Sequence, residues 1–224
     1  EKTTSLTLFY HPNSAPCRVV WTFLLENRIQ CKLELVNLFQ DEQLDPAYKE
    51  LNPAHSVPTL VENRFVLYES CAIVRYLTKS QSSAAAHWYP SDPKEKSLVN
   101  QFVSWSKVHI REAINLYLNA ALWKPLKNIS VDAEELQTQK ENLKKNLQIL
   151  ERALTDKTSL VGSKLSVCDL VIAEELINLE LVDFDFDEFC NIQQWMFFVK
   201  QNISCWDKVH QFFNQVYKPT IQKA

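Results

Sequence analysis

The apolar run Leu6-Thr-Leu-Phe-Tyr10 is too short for a helix and predicts a β-strand. Behind it, a Pro-started amphipathic stretch from Pro16 to Asn27 predicts a helix. Lys32 to Val36 alternates polar and apolar positions as a strand does, and Asp45 to Leu51 predicts a short helix closed by Asn52-Pro53. Val57 to Val61 and Phe65 to Tyr68 flank Glu62-Asn-Arg64, with Asn63 placed for the left-handed turn position, so they predict a hairpin. Ser70 to Thr78 predicts a helix with Ala72, Ile73, Tyr76 and Leu77 on its apolar side. The predicted order is βαβ, helix, ββα.

Between Lys79 and Pro93 the period is lost and Ser, Ala, Gln and Pro dominate, which marks a boundary. Beyond it every strong period is helical. Leu98, Phe102 and Trp105 form one stripe; Leu136, Leu143, Leu147, Leu150 and Leu154 a second; Leu170, Ala173, Ile177 and Leu181 a third; Trp206, Val209 and Phe213 a fourth. The expected division is residues 1–80, a linker over 81–95, and an all-helical domain over 96–224. Within the latter, Ser166-Val-Cys-Asp169 reads as an N-capping box, stapled by Leu165 and Leu170 and with a structural role only.

Composition narrows the function classes. A chain of 224 residues with 46 % hydrophobic content can build its core without metal or disulfide staples. Its 24 basic and 27 acidic residues give a net charge of -3 with no long run of either sign, which argues against nucleic acid or a membrane as partner. No apolar run reaches the length of a membrane span. The six cysteines form no C-x-x-C pair and no zinc pattern, so reduced thiols in a cytoplasmic protein are expected, although a chain beginning at Glu1 leaves a removed leader open. Gly162 is the only glycine, which rules out both a Rossmann fingerprint and a P-loop.

Four segments, in order, carry a resemblance: Leu6-Thr-Leu-Phe-Tyr-His-Pro-Asn-Ser-Ala-Pro-Cys-Arg18, Asn52-Pro-Ala-His-Ser-Val-Pro-Thr-Leu60, Tyr68-Glu-Ser-Cys-Ala-Ile73 and Trp88-Tyr-Pro-Ser-Asp92. Together with the Ser166 box they make the chain similar, over nearly its whole length, to glutathione transferases of the theta and delta kind. The resemblance implies a two-domain α+β/α fold: a thioredoxin-like βαβαββα domain that binds glutathione, followed by an all-helical domain. It implies conjugation of glutathione to a small electrophile, with glutathione as co-substrate and no metal or other cofactor. It also implies a homodimer, paired through the last helix of the first domain and the first of the second, where Tyr76, Phe102 and Trp105 supply apolar surface.

Under that resemblance Ser14 is the catalytic residue, holding the glutathione sulfur as a thiolate. Its position agrees: a strand ending at Tyr10, a turn and a helix opening near Pro16 set Ser14 at a helix N-terminus, where amide dipoles favour an anion. A hydroxyl that donates to the ionised sulfur lowers a thiol pKa from its ordinary value of about 8.5. On position alone, a simple helix cap explains Ser14 equally well. Cys17, three residues on, reads as a buried and inert thiol.

The glutathione-binding set expected is Gln43, His55, Val57, Pro58, Glu69, Ser70, Asn100 and Gln101. The resemblance puts a cis proline at Val57-Pro58. Turning the chain there leaves the Val57 amide and carbonyl for a peptide-like ligand. Ser70 can cap the next helix and meet a carboxylate, while Glu69 opposes an ammonium, the two charges of a γ-glutamyl group. Gln43 and Asn100 depart from the family, standing where His and Asp are common, and each keeps hydrogen bonding while removing charge. The electrophile pocket is expected on the first helices of the second domain, among His109, Arg111, Tyr117 and Trp123, with Arg111 matching a theta arginine associated with anionic substrates. Two other readings stand beside this one. A non-catalytic interaction or assembly subunit on the same fold is the alternative, against which the intact Ser14, Val57-Pro58 and Glu69-Ser70 set argues, and thiol transfer would need a cysteine at Ser14.

Overall fold

In the computed structural model, residues 6–80 and 87–223 are described. They fall into two compact units: the residues up to Tyr89 together with Ile203–Phe213, and Pro90–Asn202 together with the residues from Asn214 on. Residues 81–86, part of the stretch expected to be a linker, lie outside the described residues.

The first unit is built on a four-stranded sheet in the order β2-β1-β3-β4, with β1 (Leu6–Tyr10), β2 (Lys32–Leu35), β3 (Thr59–Glu62) and β4 (Phe65–Tyr68). β2 runs parallel to β1, across α1 (Ala15–Glu26), while β3 is antiparallel to β1 and to β4. Leu8 pairs with both Leu33 and Leu60, and Leu8 and Leu60 are fully buried at the centre of the sheet. α1 places Val19, Val20, Phe23 and Leu24 in this core, as its apolar period requires. The tight β3–β4 connection has Asn63 at φ 57°, the left-handed position expected for it. α2 (Pro46–Leu51) and α3 (Ser70–Ser80) complete the βαβαββα unit, and α10 (Trp206–Phe212) packs on α1.

Three details differ from expectation. β3 begins at Thr59 rather than Val57, since Pro58 has no N–H to give a ladder. α3 runs on to Ser80. Ser70 is the first helical residue rather than the cap: the Glu69 carbonyl accepts the first helical bond, from Ile73 N–H at 3.0 Å, and Glu69 stands at φ 72°.

The second unit is all helical: α4 (Pro93–Val108), α5 (Ile110–Leu118), a π-helical turn Asn119–Trp123, α6 (Lys124–Leu126), α7 (Ala133–Ala153), α8 (Val167–Ile177), α9 (Cys190–Asn202) and α11 (Lys218–Ile221). α4 starts inside the 81–95 stretch, at Pro93, behind Asp92, whose carboxylate accepts the Lys94 and Glu95 amides. α8 is buried along its whole length, its carboxylates Asp169, Glu174 and Glu175 included, which makes it the unit's central helix. Its start is fixed by Asp169, whose carboxylate accepts the Ser166 amide and hydroxyl (2.9 and 3.0 Å), the Leu160 amide (2.7 Å) and the Trp195 indole N–H (3.1 Å). No helix among the described residues is long and apolar enough to cross a membrane.

Candidate active site

β1 delivers the chain into a turn, His11-Pro12-Asn13-Ser14, closed by the Ser14 amide donating to the His11 carbonyl at 3.0 Å. Pro12 and Asn13 suit its two central positions, and Pro16 suits the first turn of the helix that follows. Ser14 is the N-cap residue of α1, with extended backbone (φ -78°, ψ 114°), and its carbonyl accepts the Arg18 amide at 3.0 Å. Its side chain makes no capping hydrogen bond. Ser14 therefore holds the cap position while its hydroxyl is not committed to the helix, at the end where the backbone dipoles favour an anion.

The turn is braced by neighbours that periodicity does not reveal. The buried imidazole of His11 accepts the Asn13 amide at Nδ1 (3.2 Å) and packs edge-on against Phe39 and Phe212. Burial lowers its pKa below the ordinary histidine range, so the ring is held neutral, with its proton on Nε2. Arg18, fully buried, donates through Nη1 to the Asn13 carbonyl (2.9 Å) and the Pro12 carbonyl (3.3 Å). Cys17 is fully buried and in no disulfide, and its sulfur accepts the His11 amide at 3.5 Å.

A second segment of the first unit offers main chain to a ligand. The Val57–Pro58 peptide is cis. The loop before it is pinned by buried polar groups: the Asn52 Nδ2 donates to the Ser56 carbonyl (2.8 Å) and the Thr59 hydroxyl (2.9 Å), and its Oδ1 accepts the Ala54 amide (2.9 Å). The Tyr48 hydroxyl donates to the same Ser56 carbonyl at 2.8 Å. Tyr48, Asn52 and Thr59 thus set the course of residues 53–58, and His55, exposed and at φ 51°, projects from this loop. Glu69, exposed, and Ser70, buried, lie together at the start of α3. Gln43 sits on a 3-10 turn, Glu42–Leu44, with its amide nitrogen donating to Asp41 (3.2 Å) and its amide oxygen buried without a partner.

The remaining expected residues belong to the second unit. Asn100 and Gln101 are neighbours on α4. Arg111 on α5 lies 3.7 Å from the buried Glu175 carboxylate, so its charge is met from inside the unit, which weakens its link to an anionic substrate. Trp123 ends the π-helical turn, and His109, exposed, stacks on Trp105. The buried ring of Tyr117 meets Phe184 edge-on, and burial raises its pKa. Phe184 in turn lines a cavity of about 360 Å³ with Leu176, Phe186, Ile192 and Met196, with Glu180 and Lys200 among its polar residues. Arg111, Tyr117 and Trp123 are not among the residues that line this cavity. Among the described residues, no group of three or more His, Cys, Asp or Glu side chains is placed to hold a metal ion.

Known proteins bear on this arrangement. Residues 13–80 match the model of the glutathione S-transferase N-terminal domain, and residues 106–199 that of the C-terminal domain. The chain is 33 % identical to glutathione S-transferase D6 of Drosophila melanogaster over 77 % of each chain. It is also 33 % identical to bovine (Bos taurus) glutathione S-transferase theta-1, over 77 % of this chain and 72 % of that one. Among solved structures, human glutathione transferase theta-2 in complex with glutathione superimposes with a TM-score of 0.86 at 27 % identity, covering 97 % of this chain and 92 % of the other.

Proposed function

Because the chain belongs to the glutathione S-transferase family, we propose that it conjugates glutathione to small electrophiles, with Ser14 holding the sulfur as a thiolate. One observation carries the assignment to Ser14: its hydroxyl stands at the start of α1 without a capping bond. Ser14 donates to the sulfur and stabilises the ionised form over the thiol, whose proton passes to water. The thiolate then forms a carbon–sulfur bond as the leaving group departs with its bonding pair.

The main chain of Val57, at the cis peptide with Pro58, pairs with the peptide backbone of glutathione. Glu69 opposes the γ-glutamyl ammonium, and Ser70 meets its carboxylate at the N-terminus of α3. His55 and Gln43 serve the glycyl end. Gln43 does so without a charge, and Asn100 or Gln101 replaces an acidic contact from a partner subunit, so glutathione is held less tightly than by a fully charged set. The apolar side of the second unit, with Tyr117, Trp123 and Arg111, takes the electrophile. In the same reading, residues 1–80 bind glutathione, residues 96–224 form the helical domain, and the chain works as a cytoplasmic homodimer. Six cysteines outside any disulfide fit a reducing compartment.

Calorimetric titration with glutathione tests the reading. Binding in the micromolar to millimolar range, with formation of a thioether from a small alkyl halide, is the expected result. Absence of heat at millimolar glutathione would remove the reading.

A further inference from the structure

Arg18 is a buried cation whose guanidinium reaches back along its own helix to main-chain carbonyls of the Ser14 turn. Nη1 bridges the carbonyls of Pro12 and Asn13, the two peptide units that immediately precede Ser14. The other side of the guanidinium is covered by an aromatic ring: its central carbon lies 5.2 Å from the ring centroid of Phe213, itself fully buried. Phe213 directly follows α10, and its neighbour Phe212 packs on His11, which holds the Asn13 amide. α10 is tied to α1 a second time, where the Glu26 carboxylate accepts the Ser204 hydroxyl (2.8 Å) and the Cys205 amide (3.0 Å). The turn is therefore gripped at both carbonyls by Arg18 and at one amide by His11, and both grips are backed by the phenylalanine pair at the end of α10.

We propose that Arg18 is a positioning residue for Ser14: clamped on Phe213, it fixes the peptide planes of Pro12 and Asn13 so that the Ser14 hydroxyl keeps one location at the helix start. This rests on the functional reading of Ser14 given above. A hydroxyl contributes to thiolate stability only while it is held in hydrogen-bonding geometry, so a turn that wanders loses the effect even with Ser14 present. A planar guanidinium on a ring face can satisfy two carbonyls from one buried location, whereas a lysine offers a point charge without the flat surface. Methionine at position 18 keeps the apolar contact and leaves both carbonyls without their donor.

Arg18→Met, Arg18→Lys and Phe213→Leu are compared with wild type in two measurements. The first is amide hydrogen exchange at Asn13 and Ser14, with Val20 to Leu24 of α1 as internal reference, and it needs no ligand. The expected result is exchange at the turn faster by about tenfold or more in Arg18→Met, less so in Arg18→Lys and Phe213→Leu, against an unchanged reference. The second is the pH titration of thiolate absorbance with bound glutathione, alongside kcat and glutathione Kd. Here Arg18→Met is expected to lower kcat at neutral pH about tenfold, to raise the pH at which the thiolate forms, and to leave Kd within about threefold. Equal exchange at the turn in all variants overturns the proposal. So does a loss of thermal stability with the thiolate titration unchanged, since that is a packing role only. If Arg18→Met does not fold, the Lys and Leu variants decide by the same criteria. If wild type binds no glutathione, the conjugation reading falls, and the exchange measurement still decides whether Arg18 holds the turn.

Discussion

Two helices in this chain begin in the same way in sequence and differently in space. α1 opens on Ser14-Ala-Pro-Cys17 and α8 on Ser166-Val-Cys-Asp169, each with serine at the N-cap. At α8 the hydroxyl donates to Asp169, and that carboxylate also gathers two amides and an indole from three separate segments. At α1 the hydroxyl makes no cap bond, and the turn is held by other groups, His11 and Arg18. A serine whose hydrogen bonding is met within the fold is structure. One whose neighbours do its holding, while its own hydroxyl stays uncommitted, is available for chemistry.

The sharpest way to break this contrast is at Asp169. Burial holds its carboxyl above the ordinary carboxylate range, and the donated bonds oppose that rise. Asp169→Ala leaves the Leu160 and Ser166 amides, the Ser166 hydroxyl and the Trp195 indole without their acceptor. A stability loss of about 3–5 kcal/mol in urea unfolding is expected, with activity per folded molecule retained. The milder Ser166→Ala should cost about 1 kcal/mol, whereas Ser14→Ala should change stability by less than about 0.5 kcal/mol. A cost at Ser14 equal to that at Ser166 would place both serines in the same class.

The smallest expected effect is the pH dependence carried by His11. Its folded-state pKa lies below the unfolded value of about 6.5 because burial disfavours the charged ring. Between the two values the unfolded chain binds the proton and the folded chain does not. The stability contributed by neutral His11 is thus present above about pH 6.5 and is lost as pH falls toward the folded value. Thermal midpoints measured from pH 7.5 to 5 should show this slope in wild type, and His11→Asn should lack it.

Much of the fold was legible in the sequence because it rests on periodicity. The strand run of β1 buries Leu6 and Leu8, and the helical stripes of α1, α3 and α7 each bury one face, which leaves a repeating trace, whereas the alternating Leu35 of β2 stays exposed. The apolar stripe of α10 was equally visible, but its packing on α1 was not, since a stripe says that a face is covered and not by what. For the proposed site, Ser14, Val57-Pro58 and Glu69-Ser70 were singled out through motif order. Arg18, Asn52 and Tyr48 were missed because they bind main-chain carbonyls, and any residue has a carbonyl, so no partner residue type marks the pairing. The single signal for Arg18 was a charged residue on the inward face of an otherwise apolar helix start. At Ser70, serine's preference for caps was overridden by Glu69, which takes the left-handed backbone position one residue earlier.

The central claim is that the Ser14 hydroxyl holds a thiolate rather than a helix. The most direct measurement is thiolate absorbance of the glutathione complex against pH, for wild type and Ser14→Ala at saturating glutathione. A charge-assisted hydrogen bond contributes about 1.5–3 kcal/mol, so the variant should form thiolate about one to two pH units later and conjugate about tenfold to a hundredfold more slowly at neutral pH, recovering as pH rises. Superimposable titrations for the two proteins, with glutathione bound in both, would contradict the claim.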